Sequence, residues 1–177
     1  MPAPPGFHAF KRTIYALLAL NLALYALFGT ANQLLDSAAW IVLLVLFEIE
    51  TAHGERLKSR GRLAIHLVRL AAAAGVLAAA VGYVLEREWL DAINTWLWVA
   101  VVVLLEIEVR FPDAVERRRR LFWSCTGALY AALGALVLAW AWRGEWLDAW
   151  DAALWLTAFF AIELNVLERQ NGYSSVS

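Results

Sequence analysis

Six long apolar stretches follow one another along the chain, with short polar segments between them. They cover about residues 10–30, 37–54, 62–86, 91–110, 120–143 and 149–168. Each comes close to or exceeds the ~20 residues that an α-helix needs to cross a bilayer. The pattern therefore predicts six transmembrane helices, and we expect residues 1–9 and 170–177 to be flexible tails.

The second, fourth and sixth apolar stretches carry the same polar pattern near their ends. The segment LLVLFEIE at 43–50 returns after 58 residues as VVVLLEIE at 101–108, and after 57 more as AFFAIELN at 158–165. A repeat of this period indicates duplicated supersecondary units. The predicted units are three helical hairpins, at about residues 10–54, 62–110 and 120–168.

Three such hairpins must all cross the membrane in the same direction, because an even number of spans separates equivalent positions. Repeats related in this way surround an axis along the membrane normal. The predicted fold is therefore an all-α integral membrane protein, in which six transmembrane helices form three parallel-oriented repeated helical hairpins. We expect a pseudo-threefold bundle and a single transmembrane domain over residues 1–177.

Composition supports the membrane assignment and removes several functional classes. Hydrophobic residues make up 62% of the 177-residue chain, against roughly 45–50% in soluble domains. The chain lacks the His-Glu-x-x-His, Gly-x-Ser-x-Gly and Gly-rich phosphate-binding motifs of common hydrolases and nucleotide-binding enzymes. We therefore predict a protein that is not an enzyme, holds no cofactor and binds no nucleic acid.

Lysine and arginine segregate strongly between the two ends of the predicted helices. Only Arg87 and Arg143 fall in one set of loops, whereas the other thirteen basic residues lie toward the opposite ends. Membrane proteins concentrate such residues in their cytoplasmic loops. The distribution predicts an integral protein of the plasma membrane, which is the inner membrane in a bacterium, with both termini in the cytoplasm.

Glutamates recur at one position of the three repeats, within stretches that are otherwise apolar. They are Glu48, Glu106 and Glu163. Acidic residues in transmembrane segments often mark ion or proton paths, and three like charges in a low dielectric need a cation if all are to stay ionised. We expect these carboxylates to form the cation-binding site of a small channel or transporter for protons or a metal ion.

Two further sets of polar residues recur at the same spacing and predict a secondary cation path in line with the first site. They are Glu50, Glu108 and Asn165, and, about three turns earlier, Asp36, Asn94 and Asp151. Glu50 and His53 also have the Glu-x-x-His spacing of helical di-metal carboxylate sites. This pair is a further candidate metal site.

A different interpretation of the glutamates is structural. Each could pair with a basic residue, and Arg69 lies deep enough in its stretch to reach Glu48 or Glu106. The chain would then be a non-transporting membrane scaffold, or a module that binds lipid or a partner protein. Assembly of several copies into a homo-oligomer stays open. A topology anchor that also attracts anionic lipids is predicted at Arg117, Arg118, Arg119 and Arg120.

Overall fold

The protein is a series of α-helices joined by short turns. A computed structural model describes residues 5–53 and 59–159. The helices are α1 (Pro5–Phe28), α2 (Ala31–His53), α3 (Ser59–Glu86), α4 (Trp89–Arg110), α5 (Pro112–Arg117), α6 (Arg119–Arg143) and α7, of which residues 146–159 are described. These two described ranges contain no strand, which confirms the all-helical class.

Five of these helices are long and apolar enough to cross a membrane. The candidate spans are Ala9–Phe28, Ala31–Glu50, Ser59–Glu86, Trp89–Glu108 and Arg119–Arg143. Many large apolar side chains along them are exposed, including Leu27, Leu85 and Leu138, as expected where a helix faces lipid. The membrane character is confirmed to this extent. The predicted continuation of α7 to residue 168 lies outside the described residues, so the sixth span stays a prediction.

Two of the turns between helices close in the same way. After α3, Arg87 has φ 64° and the Glu88 N–H donates to the Tyr83 carbonyl at 2.9 Å. After α6, Gly144 has φ 81° and the Glu145 N–H donates to the Trp140 carbonyl at 3.0 Å. This left-handed closure satisfies carbonyls at the end of a helix. The two turns stand 57 residues apart, which is the spacing of the sequence repeat.

The shared backbone geometry of these turns predicts opposite effects of two substitutions. Left-handed φ costs a residue with a Cβ roughly 1–2 kcal/mol relative to glycine. We expect Arg87→Gly to stabilise the protein by up to about 1 kcal/mol, because part of that gain is offset by the entropy of glycine. Gly144→Ala should destabilise it by about 1 kcal/mol. Thermal unfolding in one detergent measures both, and shifts of the same sign would contradict the prediction.

The described chain divides into two compact units. One, the α2–α3 unit, covers Leu22–Trp96. The other, the α6 unit, contains the described residues up to Asn21 and from Leu97 onward. Each unit is described by itself below, and the single domain expected over the whole chain stays a prediction.

In the α2–α3 unit, α2 packs antiparallel against α3 over most of its length. Asn32 lies beside Gly82 and Ala39 beside Gly75, whereas Glu50, near the other end of α2, lies beside Arg69. A Cβ built on Gly75 would stand 3.3 Å from the Ala39 Cβ. Small residues allow helix backbones to approach this closely. The packing face that the sequence of α3 indicates is therefore present.

In the α6 unit, Gly127 lies outside the packed face that the described residues show. A Cβ built on Gly127 would meet no atom of the described residues within 4 Å. The buried residues of α6 are instead Leu133, Leu136 and Trp140. They lie roughly on the opposite side of the helix from Gly127, since successive residues are about 100° apart. Within the described residues, larger side chains therefore form the inward face of α6, unlike the small residues of α3 that pack against α2.

Candidate functional site

The most buried acidic side chain of the described chain is Asp36, in the second turn of α2. Only 9% of this residue is exposed. The Thr95 hydroxyl of α4 donates a hydrogen bond to its Oδ2 at 3.1 Å. The Tyr83 hydroxyl of α3 lies 3.5 Å from the same oxygen, and the Trp40 side chain, one turn further along α2, adds a hydrogen bond. Three helices therefore meet at this carboxyl group.

The surroundings of Asp36 are polar but carry no charge. Thr95 is 0% exposed and Tyr83 is buried. In the described part of the chain, no Lys, Arg or His forms an ion pair with Asp36, and its Oδ1 has no hydrogen-bond partner. One carboxylate oxygen is thus held by hydroxyl groups, and the other remains available to a proton or a cation.

The sequence repeat explains why Thr95 reaches Asp36. Asn94 is the residue that corresponds to Asp36 in the second repeat, and Thr95 is the next residue. The contact between Asp36 and Thr95 thus places corresponding residues of α2 and α4 at nearly the same position along the two helices. This arrangement is expected if two repeats lie parallel and in register. Tyr83 comes from the antiparallel helix α3, near the end that joins α4.

In the α6 unit, the half-buried carboxyl group of Asp151 occupies the corresponding position of the third repeat. The Asn21 Nδ2 of α1 donates to the Asp151 Oδ1 of α7 at 2.7 Å. Asn21 is 1% exposed, and its own Oδ1 has no partner in the described residues. Asn94 stands at the corresponding position of the second repeat. Its buried Oδ1 likewise lacks a hydrogen-bond partner among the described residues. All three positions therefore carry a half-buried or buried polar side chain.

Two of the repeated glutamates, Glu50 and Glu106, form ion pairs with arginines. Glu106 forms an ion pair with Arg110, one turn away, and its side chain is 56% exposed. Glu50 forms an ion pair with Arg69 of α3, and this is not the partner expected for that arginine. Glu48 is half-buried and Glu108 is exposed.

The cation site expected at Glu48, Glu106 and Glu163 stays a prediction. Glu163 lies outside the described residues, as does Asn165 of the secondary path. The structure therefore brings together Asp36, Thr95 and Tyr83 in one unit, and Asp151 and Asn21 in the other.

The candidate metal pair lies on the last turn of α2. His53 is the final residue of that helix, and Glu50 is paired with Arg69. The described residues contain no group of three or more His, Cys, Asp or Glu side chains that could hold a metal ion. The side chain of His53 lies outside the described residues, so the metal site at Glu50 and His53 stays a prediction.

Several residues of the site were not among the sequence candidates. Thr95 and Tyr83 hold Asp36, and Asn21 holds Asp151. Asn21 gave a signal, since it is a lone amide within a long apolar stretch. Such a side chain is costly in a membrane unless it has a partner in the protein.

Comparisons of the chain with protein-family models, with curated proteins and with solved structures find no match. A function can therefore be inferred only from the carboxyl groups of Asp36 and Asp151 and their surroundings.

Proposed function

We propose that the protein is a membrane-embedded channel or transporter for protons or another cation, with Asp36 as its central carboxyl group. The observation that carries this proposal is the burial of Asp36 within a candidate membrane span, among hydroxyl groups and without an ion pair in the described chain. Acidic residues inside membrane segments are costly and most often functional. A bound proton or metal cation offsets such a charge where no basic side chain does.

The hydroxyl partners of Asp36 fit this role. A hydroxyl group donates one hydrogen bond and accepts others, so Thr95 can donate to Asp36 while it accepts from a further group. Asp91 stands one turn before Thr95 on α4, and residues at this spacing share a face of the helix. The polar groups Asp91, Thr95 and Asp36 thus lead from the beginning of α4 to the buried carboxyl group.

The proposal includes six spans built as three hairpins. The repeated turn after α3 and α6 supports it, since both turns use the same hydrogen bond. Contacts between repeats support it further. Repeats 1 and 2 meet at Asp36 and Thr95, repeats 1 and 3 at Asn21 and Asp151, and repeats 2 and 3 at Trp98 and Phe159, whose ring centres are 4.7 Å apart. The threefold arrangement itself stays a prediction.

We place the protein in the plasma membrane with both termini in the cytoplasm, on the basis of its arginine distribution. Asp36 and Asp151 then lie toward the outer side, and Glu50 and Glu106 toward the inner side. Cations that enter from the acidic outer end would reach Asp36 before the glutamates of α2. The proposal involves no catalysed reaction.

A second candidate function is a non-transporting membrane scaffold. The ion pairs Glu50–Arg69 and Glu106–Arg110 favour it, because they account for two of the repeated glutamates without any ion path. A scaffold function does not explain why the carboxyl group of Asp36 is buried without an ion pair in the described chain.

Flux measurements on the purified protein distinguish these two functions. Liposomes that contain the protein and a pH-sensitive dye are given a K⁺ gradient with valinomycin, which drives protons inward if the protein conducts them. We expect acidification well above that of protein-free liposomes. Parallel assays replace the proton readout with Na⁺- and K⁺-sensitive dyes. Absence of protein-dependent flux of all three cations would favour the scaffold.

A further inference from the structure

An exposed arginine cluster lies at the end of two candidate membrane helices. α4 ends at Arg110 and α6 begins at Arg119, and the short helix α5 connects them. α5 buries none of its residues. Residues 110–120 contain five arginines and two acids, which gives this segment a net charge of +3. The segment that connects α4 and α6 is therefore exposed and positively charged, and it lies between two apolar helices.

Most of these arginines lack a counter-charge among residues 5–53 and 59–159. Arg119 is 3.9 Å from Glu116, with both side chains largely exposed. Three further arginines are exposed and form no ion pair within the described part of the chain: Arg117, Arg118 and Arg120. The first turn of α6 contains no acidic residue, so basic side chains there oppose the helix dipole. An anion from outside the chain would offset this repulsion.

Exposed apolar side chains lie close to the arginines along the chain. Phe111 precedes α5, and Leu121 and Trp123 lie in the first turns of α6. The Arg119 Cζ is 5.9 Å from the centre of the Trp123 ring, within the range of a cation–π contact. Tryptophan is enriched where a membrane protein meets the headgroup region. Guanidinium groups beside exposed aromatic and aliphatic side chains fit a lipid, which offers both a phosphate and an acyl chain.

We propose that Arg117, Arg118, Arg119 and Arg120 bind the headgroups of anionic phospholipids at this end of the protein. A guanidinium group donates paired hydrogen bonds to phosphate oxygens. The side chains of Leu121 and Trp123 contact the part of the acyl chains that lies nearest the headgroups. This lipid site does not depend on the proposed transport function, since it rests on residues that are separate from Asp36.

The test compares two lipids that differ in charge. The full chain is purified in a nonionic detergent, and its thermal unfolding is measured with added phosphatidylglycerol or phosphatidylcholine. A lipid that binds only the folded protein raises its midpoint by mass action. We expect phosphatidylglycerol to raise the midpoint by roughly 5 °C, and phosphatidylcholine to raise it by much less. The triple variant R117Q/R118Q/R120Q should lose the difference between the two lipids.

A matched control removes basic residues at the opposite ends of the helices. The double variant R87Q/R143Q should keep the response to phosphatidylglycerol, as should the charge-conserving triple variant R117K/R118K/R120K. Native mass spectrometry of the parent in a mixture of both lipids gives a second readout if the glutamine variant does not fold, and we expect retained phosphatidylglycerol. Equal stabilisation or retention of both lipids, or a full response in R117Q/R118Q/R120Q, would overturn the proposal. An equal rise with inorganic phosphate would also overturn it, since a simple anion would then suffice.

Discussion

Asp36→Asn is expected to reduce cation flux in liposomes to the background of protein-free vesicles. Asparagine has nearly the shape of aspartate, and its side-chain oxygen can still accept the hydrogen bond from Thr95. It has no negative charge and cannot carry a transferable carboxylic proton. Loss of a positioned proton-transfer group lowers rates by roughly 100-fold or more. The measurement is dye acidification per reconstituted protein, at equal membrane potential.

A matched substitution elsewhere in the chain serves as the control. Asp113→Asn makes the same chemical change on the exposed helix α5, away from the buried site. It should keep the flux of the parent. Thermal unfolding of both variants should stay close to that of the parent, which separates a loss of transport from a loss of folding. Parent-like flux in Asp36→Asn would show that this carboxyl group is not on the path.

A third variant distinguishes the buried aspartate from the glutamates that the repeat singles out. Glu106 is exposed and pairs with Arg110, so we expect Glu106→Gln to reduce flux by less than Asp36→Asn does. The reverse order would return the cation site to Glu48, Glu106 and Glu163. It would also mean that the pair with Arg110 opens during transport.

The hydrophobic pattern was a good guide to the long helices. The stretch at 91–110 became Trp89–Arg110, and the stretch at 120–143 became Arg119–Arg143. Such boundaries are readable because a membrane span is long, apolar and ended by charges. α5 was not predicted, since it is short and polar. Pro112 and Asp113 at its beginning were its only sequence signals, and both residue types are favoured in a first helical turn.

The ranking of the acidic positions was less readable from the sequence. Recurrence favoured the glutamates, which are acidic in all three repeats, over the set of Asp36, Asn94 and Asp151. Repetition does not reveal burial. Glu106 and Arg110 stand four residues apart, and this spacing brings side chains together on a helix. Asp36 has no basic residue at such a spacing in either direction. Pairing within a helix separates Asp36 from Glu106 but not from Glu48, which also lacks a basic residue at this spacing. The contacts of Asp36 with Thr95 and Tyr83 join different helices, so no local rule could supply them.

The close contact between α2 and α3 at Gly82 predicts a large loss of stability on substitution. The Asn32 Nδ2 donates to the Ala79 carbonyl at 3.0 Å, and the Asn32 side chain covers Gly82. A Cβ at Gly82 would stand 2.5 Å from the Asn32 Oδ1 and 2.7 Å from its Nδ2. Gly82→Ala must therefore displace the amide and break its hydrogen bond. We expect a loss of about 1–3 kcal/mol in the free energy of unfolding.

A double-mutant cycle shows whether this clash is the cause. Asn32→Ala removes the amide, and alanine in a helix is more favourable than glycine by up to about 1 kcal/mol. In the Asn32→Ala background, Gly82→Ala should therefore be neutral or stabilising, which reverses its sign. Gly127→Ala is the control for helix propensity alone, since its Cβ would meet no described atom within 4 Å. Thermal unfolding of all variants in one detergent gives the coupling. Additive effects of Asn32→Ala and Gly82→Ala would mean that the two residues do not touch, and the described register of α2 against α3 would then be wrong.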